Sequence, residues 1–135
     1  MSSRREVAGW FAHVYATMDT EVHALVQQEV FGREAWVRGY TTPAQADLLA
    51  ERLSLRPGVR LLDVGAGEGW PSLYLAKQTG CDSVLADVPE PGLRNALSRS
   101  DRDGLGDRCS FVLASGARLP FSPHTFDAVI HTDAL

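Results

Sequence analysis

Features that would commit a chain to a special environment are scarce in these 135 residues. There are two cysteines, Cys81 and Cys109, with neither disulfide-framework nor zinc spacing. That excludes a stapled secreted fold and fits a reducing, cytoplasmic setting. Apolar runs fall far short of the roughly 18 residues that a membrane span needs. The N-terminus is polar where a signal peptide would carry an apolar stretch. Positive charge is thin as well: 13 Lys and Arg stand against 17 Asp and Glu, for a net charge of −4. Beyond Arg4-Arg5 there is no basic cluster, so the electrostatic footprint of a nucleic-acid binder is missing. No internal repeat or low-complexity linker divides the chain. His23 and His124 lack metal-ligand spacing, and no metal is expected.

What is present is the composition of a globular protein, 44% hydrophobic and 22% charged. At this length a chain buries roughly two-thirds of its unfolded surface, enough for one domain or part of one. Val7, Trp10, Phe11, Val14 and Met18 recur at helical spacing over residues 4 to 18, with His13 and Tyr15 at the flanks. A second helical stretch begins near Asp19, carries Val22, Leu25, Val26 and Val30 on one side, and stops at Gly32. The aromatic segment from Glu34 to Thr42 reads as a loop crossing the molecule. Thr42-Pro43-Ala44-Gln45 is a helix start, with a capping Thr, Pro at the first position and Gln at the third. Leu48, Leu49 and Leu53 are expected on that helix's buried side, and Arg56-Pro57-Gly58 is expected to end it.

From Val59 the pattern alternates. Strands are expected at 59–64, 83–87, 111–114 and 127–132. Helices are expected at 71–78, closed by Gly80, and at 91–103, with Leu93 and Leu97 inward and Gly104 as the stop. Strands alternating with helices imply a parallel sheet with right-handed crossovers. The fold expected is therefore α/β: a Rossmann-like doubly wound parallel sheet of strand order 3-2-1-4. Residues 1–41 form an N-terminal helical cap, and 42–135 the binding unit. Such a sheet places its ligand crevice at the switch point, between strands on both sides. Here only the fourth strand lies on one side, so a partial domain is expected. The outer edge of that strand would be a pairing hazard through which copies could self-associate.

The chemistry gathers at Leu61-Leu62-Asp63-Val64-Gly65-Ala66-Gly67-Glu68-Gly69-Trp70. A strand running into glycines at a helix start offers backbone N–H groups to a ligand that approaches closely. G-x-G-x-G alone also serves simply to join strand to helix tightly. Two carboxylates sharpen it. Asp63 sits inside an apolar strand, where a charge is costly unless bonded or facing a site. Asp87 ends the second strand, where a carboxylate can accept from both hydroxyls of a ribose.

With those residues in view, the stretch from Leu61 to Gly69 resembles the first motif of class I S-adenosylmethionine-dependent methyltransferases. Leu85-Ala86-Asp87-Val88 is similar to their second motif. Arg118-Leu119-Pro120-Phe121 followed by Thr125-Phe126-Asp127-Ala128-Val129 resembles the branch that includes the ubiquinone and menaquinone methyltransferases. The resemblance implies S-adenosylmethionine as cofactor, S-adenosylhomocysteine as product and a small-molecule methyl acceptor.

It also implies roles. Gly65, Ala66, Gly67 and Gly69 would form the turn that the methionine part approaches, and Asp63 would organise it or reach the methionine ammonium. Asp87 would hold the ribose and Val88 pack on the adenine. Ser115 and Gly116 stand where the family commonly has Asp-Ala against the adenine amino group, a departure that weakens the contact. His131, with Thr132 beside it, would face the cofactor from the fourth strand or serve structure. Tyr40 would close over the sulfonium, or else Trp36 and Tyr40 would pack the cap on the sheet. Trp70 would wall the pocket or pack the helix start. His13 and Tyr15 would reach a substrate or fill core and surface positions. No catalytic base is identified. Two other readings stay open: a cofactor-binding or nucleoside-binding module without turnover, and an NAD(P)-binding oxidoreductase. Trp70 in the place of the last fingerprint glycine weighs against the second.

Overall fold

Local signals set most of the element boundaries. In the computed structural model of the chain, residues 3–17, 21–32 and 36–132 are described. Two helices come first, α1 (Arg4–Thr17) and α2 (Glu21–Phe31), the latter stopped by Gly32 in the left-handed region at φ 64°. Met18, Asp19 and residues 33–35 of the expected crossing loop lie outside the described residues. Next, α3 (Pro43–Arg52) opens with a reciprocal cap. The Gln45 backbone N–H donates to the Thr42 hydroxyl at 3.2 Å, and the Thr42 N–H donates to the Gln45 side chain at 2.9 Å. This satisfies two donors that a helix start otherwise leaves without partners.

The alternating region follows as β1 (Arg60–Val64), α4 (Ser72–Thr79), β2 (Asp82–Asp87), α5 (Glu90–Arg102), β3 (Cys109–Leu113) and β4 (Ala128–Ile130). Gly80 caps α4 at φ 75°, and Gly104 turns the chain after α5 at φ 69°. The strands form one parallel sheet of order β3-β2-β1-β4. The order expected from the sequence is the order observed. Register brings Leu61, Ser83, Cys109 and Ala128 into one row and Asp63, Leu85, Phe111 and Ile130 into the next. Residues two apart in a strand share a face. Leu61, Leu75 and Leu85 are fully buried in the core, with Ala76, Leu93 and Ala96 packed among them. Each such leucine contributes about 2 kcal/mol of burial.

Several expected burials are corrected. Leu48 is exposed and Leu49 and Leu53 only half-buried, while Pro43 and Ala46 are the buried residues of α3. Small residues let this short helix lie close, and Leu55 and Val59 in the following turn supply the apolar burial instead. The helix ends at Arg52, before Arg56-Pro57-Gly58, with Ser54 already at φ 50°. Leu97 is exposed on α5, where Leu93 and Ala96 face the core. Among the described apolar positions of the first two helices, Val7, Trp10, Leu25, Val26 and Val30 are exposed. Helical periodicity reports a stripe, not the presence of a neighbour to cover it. Among the described residues no helix is long and apolar enough to cross a membrane.

Candidate functional site

The turn between β1 and α4 is held in one shape by glycine and by partners distant in sequence. Gly65, Gly67 and Gly69 have φ of 76°, 53° and 94°, a region that a side chain makes costly. The N–H groups of Gly65 and Ala66 both donate to the Ala86 carbonyl, at 2.8 and 3.2 Å, which ties the turn to the end of β2. One residue further on, Asp87 accepts from the Gly67 N–H and from the Val88 N–H, each at 2.7 Å and each on a different carboxylate oxygen. A carboxylate offers about four acceptor positions. Two remain for a ligand, the number a vicinal diol needs.

Beneath the turn, Asp63 is completely buried and accepts from the Ser72 hydroxyl at 2.5 Å at the start of α4. Its other oxygen, Oδ1, is buried with no hydrogen-bond partner among the described residues. Burial pushes the Asp63 carboxyl from an ordinary 3.8 up to about 7; the Ser72 bond opposes that rise and the Asp87 charge adds to it. A buried acceptor of this kind suits a cationic donor, which would restore the ionised form.

Gly69 meets a packing requirement. A Cβ there would lie 2.7 Å from Leu73 Cδ1 and 3.2 Å from Ala96 Cβ, so the turn sits directly on α4 and α5. Trp70 packs the helix start: it is 5% exposed, tilted against Tyr74 at 5.2 Å, and its indole N–H donates to the Thr41 carbonyl at 2.8 Å.

The remaining candidates surround the end of β1. The Ala114 N–H donates to the Asp87 carbonyl at 3.0 Å, which ties the chain just before Ser115 and Gly116 to the end of β2. A Cβ on Gly116 would meet Val64 Cγ1 at 2.8 Å. His131 Nδ1 donates to the Val64 carbonyl at 3.0 Å, leaving Nε2 of a neutral ring as an acceptor. Ser115 is exposed and its hydroxyl accepts the Ala117 N–H at 3.2 Å, while Val88 is half-exposed at the rim. Asp63, the glycine turn, Asp87, Val88, Ser115, Gly116 and His131 thus share the C-terminal edge of the sheet.

Tyr40 is 91% exposed, so its ring does not pack the cap onto the sheet. It borders a shallow cavity of about 480 Å³ with Thr41, Leu48, Leu49 and Thr132. Trp36 does pack, with the guanidinium groups of Arg38 and Arg99 lying 4.8 and 4.0 Å from its ring centre. His13 is exposed on α1. A larger cavity, about 670 Å³, lies on the other side of the turn between α2 and α4, against Trp36, Leu73 and Tyr74. Asp87, Ser115 and His131 do not line it. No group of three or more potential metal ligands occurs among the described residues.

Sequence reasoning missed Glu68. It is 1% exposed and ion-paired with Arg38; it accepts from Asn95 Nδ2 at 2.8 Å, and its carbonyl accepts from Arg99 at 3.3 Å. A charged residue between two glycines of a buried turn was the available signal, since it demands a partner.

Known proteins are similar to this chain in sequence and in fold. A family model described as a methyltransferase domain matches residues 61–135. Methyltransferase GfsG of Streptomyces halstedii is 41% identical over 81 residues, which cover 60% of this chain and 29% of that protein. The ubiquinone/menaquinone biosynthesis C-methyltransferase UbiE of Cereibacter sphaeroides is 34% identical over 82 residues, covering 60% of this chain and 33% of it. The chain thus matches a third or less of the length of these relatives. Among solved structures, the (4+2)-cyclase SpnF superposes with a TM-score of 0.71 at 27% identity, over 95% of this chain and 48% of that one. Methyltransferases crystallised with S-adenosyl-L-homocysteine share the fold, at TM-scores of 0.53 to 0.64.

Proposed function

Because the chain belongs to the class I S-adenosylmethionine-dependent methyltransferases, we propose that it holds this cofactor at the C-terminal edge of its sheet and serves methyl transfer to a small molecule. The observation that carries the reading is Asp87, fixed by the Gly67 N–H at 2.7 Å with acceptor capacity left over. Asp87 takes the two ribose hydroxyls, and Gly65, Ala66 and Gly67 let the methionine part approach their backbone. The unpartnered Asp63 oxygen fits the methionine ammonium. Val88 packs on the adenine, the Ser115 hydroxyl accepts from its amino group beside Gly116, and His131 faces the cofactor from the end of β4. Gly69 contributes by seating the turn, and Tyr40 approaches from the strap of residues 36–41. Residues 42–135 act as the cofactor unit and residues 1–41 as its cap.

When bound, the cofactor supplies a methyl group on a sulfonium, and transfer is an in-line displacement. The work of the chain is then to position the reactants and keep water out. No residue is assigned as a base. The names of the relatives, quinone and sterol C-methyltransferases among them, favour an apolar acceptor.

A second reading, a cofactor-binding module without methyl transfer, has its own support: the fold neighbour SpnF is named as a (4+2)-cyclase, not as a methyltransferase. Titration calorimetry with S-adenosylhomocysteine and NADH tests the site. Saturable one-to-one binding of the former, tighter than NADH, is expected; no heat at about 1 mM, some −4 kcal/mol on the affinity scale, would refute it. Binding without transfer of a labelled methyl group to quinols or sterols would move the reading to the second.

We extend the proposal to setting and assembly. The free, buried thiols of Cys81 and Cys109 suit a reducing cytoplasm. Val129 is exposed on β4, whose outer edge pairs with no strand among the described residues. A second copy is expected to pair there. Sedimentation showing a monomer at all concentrations would exclude it.

A further inference from the structure

We propose that Glu68 is a positioning residue, a latch that couples the strap of residues 36–41 to ligand binding at Asp87; this rests on the cofactor reading above. A buried carboxylate is expensive unless its oxygens are paired. Here one oxygen of Glu68 is ion-paired with Arg38 of the strap and the other accepts from Asn95 of α5 at 2.8 Å. The Glu68 carbonyl accepts from Arg99, whose guanidinium lies against Trp36, so a second path joins the same residue to the strap.

The turn itself has no use for a charge at this position: its shape is set by the glycines and by the bonds to Ala86 and Asp87. What the charge adds is a tie to residues 30 positions earlier. Three further bonds attach the strap. Val37 exchanges both backbone bonds with the Gln27 side chain, at 2.7 and 3.0 Å, and Thr41 accepts from Trp70. Tyr40 is thus flanked by Arg38, held through its side chain by Glu68, and by Thr41, held through its carbonyl by Trp70.

The coupling runs in both directions. Gly67, which precedes Glu68, donates the bond that orients Asp87. A ligand that fixes Asp87 fixes Gly67 and Glu68, and so favours the docked strap; a docked strap in turn pre-orients Asp87.

The test uses Glu68→Gln, Arg38→Gln and the double variant of the full chain, with two readouts. The first is amide hydrogen exchange of residues 36–41 without ligand. The second is the Kd for S-adenosylhomocysteine, taken at a temperature where near-UV circular dichroism shows each variant folded. Each single change should speed exchange in 36–41 and weaken binding about tenfold, and the double variant should be no worse than either. Leu75→Ala, a core change away from the latch, should lower the melting temperature and leave the folded protein's Kd unchanged. Arg38 lies nearer the surface, so its variant stands in if Glu68→Gln does not fold. Unchanged exchange in 36–41, or unchanged Kd beside a wild type that binds, overturns the latch. A wild type that does not bind refutes the cofactor reading, and the exchange arm then decides the latch alone.

Discussion

The turn from Gly65 to Trp70 and the connection from Ala114 to Asp127 leave the same edge of the sheet and are built in opposite ways. The turn is anchored over long distances in sequence: Gly67 to Asp87, Glu68 to Arg38 and Trp70 to Thr41, separations of 20, 30 and 29 residues. All but one of its six residues are buried. The connection relies mainly on neighbours. The Ala117 N–H bonds the Ser115 hydroxyl, the Arg118 N–H bonds the Ser115 carbonyl, and the Thr125 hydroxyl bonds the Ser122 carbonyl. It is tied down at its ends, by Ala114 to Asp87 and by the Arg60 N–H to the Asp127 carboxylate at 2.9 Å, with Phe126 packed edge-on against Phe121. Local bonds open at little cost, whereas long-range buried ones open only with the domain. The ribose and methionine side of the proposed site is thus preformed, and the adenine side is adaptable.

The hardest way to break this contrast is at glycine. Gly69→Ala puts a methyl 2.7 Å from Leu73 at a φ of 94°, and should cost about 3–5 kcal/mol or prevent folding. Gly116→Ala also meets a neighbour, Val64 at 2.8 Å, but on an exposed loop, and should cost about 1 kcal/mol. Chemical denaturation of both variants checks the ratio; equal losses would erase the distinction.

Asp63→Asn sharpens the contrast through pH. The folded carboxyl titrates near 7 and the unfolded one near 3.8. The folded state therefore holds a proton that the unfolded state releases, and stability from this group is full below about pH 4 and lost as pH rises to about 7. The amide should remove that fall, so denaturation midpoints should vary less from pH 4 to 7 than in the wild type. An unchanged pH profile would mean that Asp63 is not buried as described.

Trp70→Phe keeps the packing and removes the bond to Thr41, a loss of about 1 kcal/mol. Exchange at residues 40–42 should rise while the amides of β1 keep their protection. The smallest effect belongs to the local loop: Ser115→Ala should change stability by less than about 0.5 kcal/mol, and the Kd for S-adenosylhomocysteine by no more than about threefold. A loss as large as that of Asp87→Ala would show the adenine side to be as preformed as the ribose side.

What could be read in the sequence was what local rules encode. The Thr42-Pro43-Gln45 cap, the Gly80 and Gly104 stops and the strand–helix alternation each need only a few consecutive residues. The β3-β2-β1-β4 order is that of a doubly wound sheet, in which the chain crosses to the other side after the third strand. The glycine turn and Asp87 were legible because their chemistry is carried by backbone and one carboxylate. Glu68 was not, because its partner Arg38 lies in a segment of irregular pattern and no spacing rule links the two. Leu48 and Leu97, expected to be buried, are exposed for a related reason: a helical stripe names the apolar side but not the element that covers it. For Tyr40, which is 91% exposed, whether the ring turns inward depends on contacts beyond the strap's own sequence.

The central claim is that the Gly65–Gly69 turn and Asp87 together form the cofactor seat. Amide chemical shifts of the nitrogen-15-labelled chain, followed while S-adenosylhomocysteine is added, test it most directly. The account predicts saturable shifts that are largest at Gly65, Gly67 and Val88 and smaller at Ser115 and Gly116. Shifts confined to Leu73, Tyr74 and the cavity beneath α2, or none at saturating ligand, would contradict it.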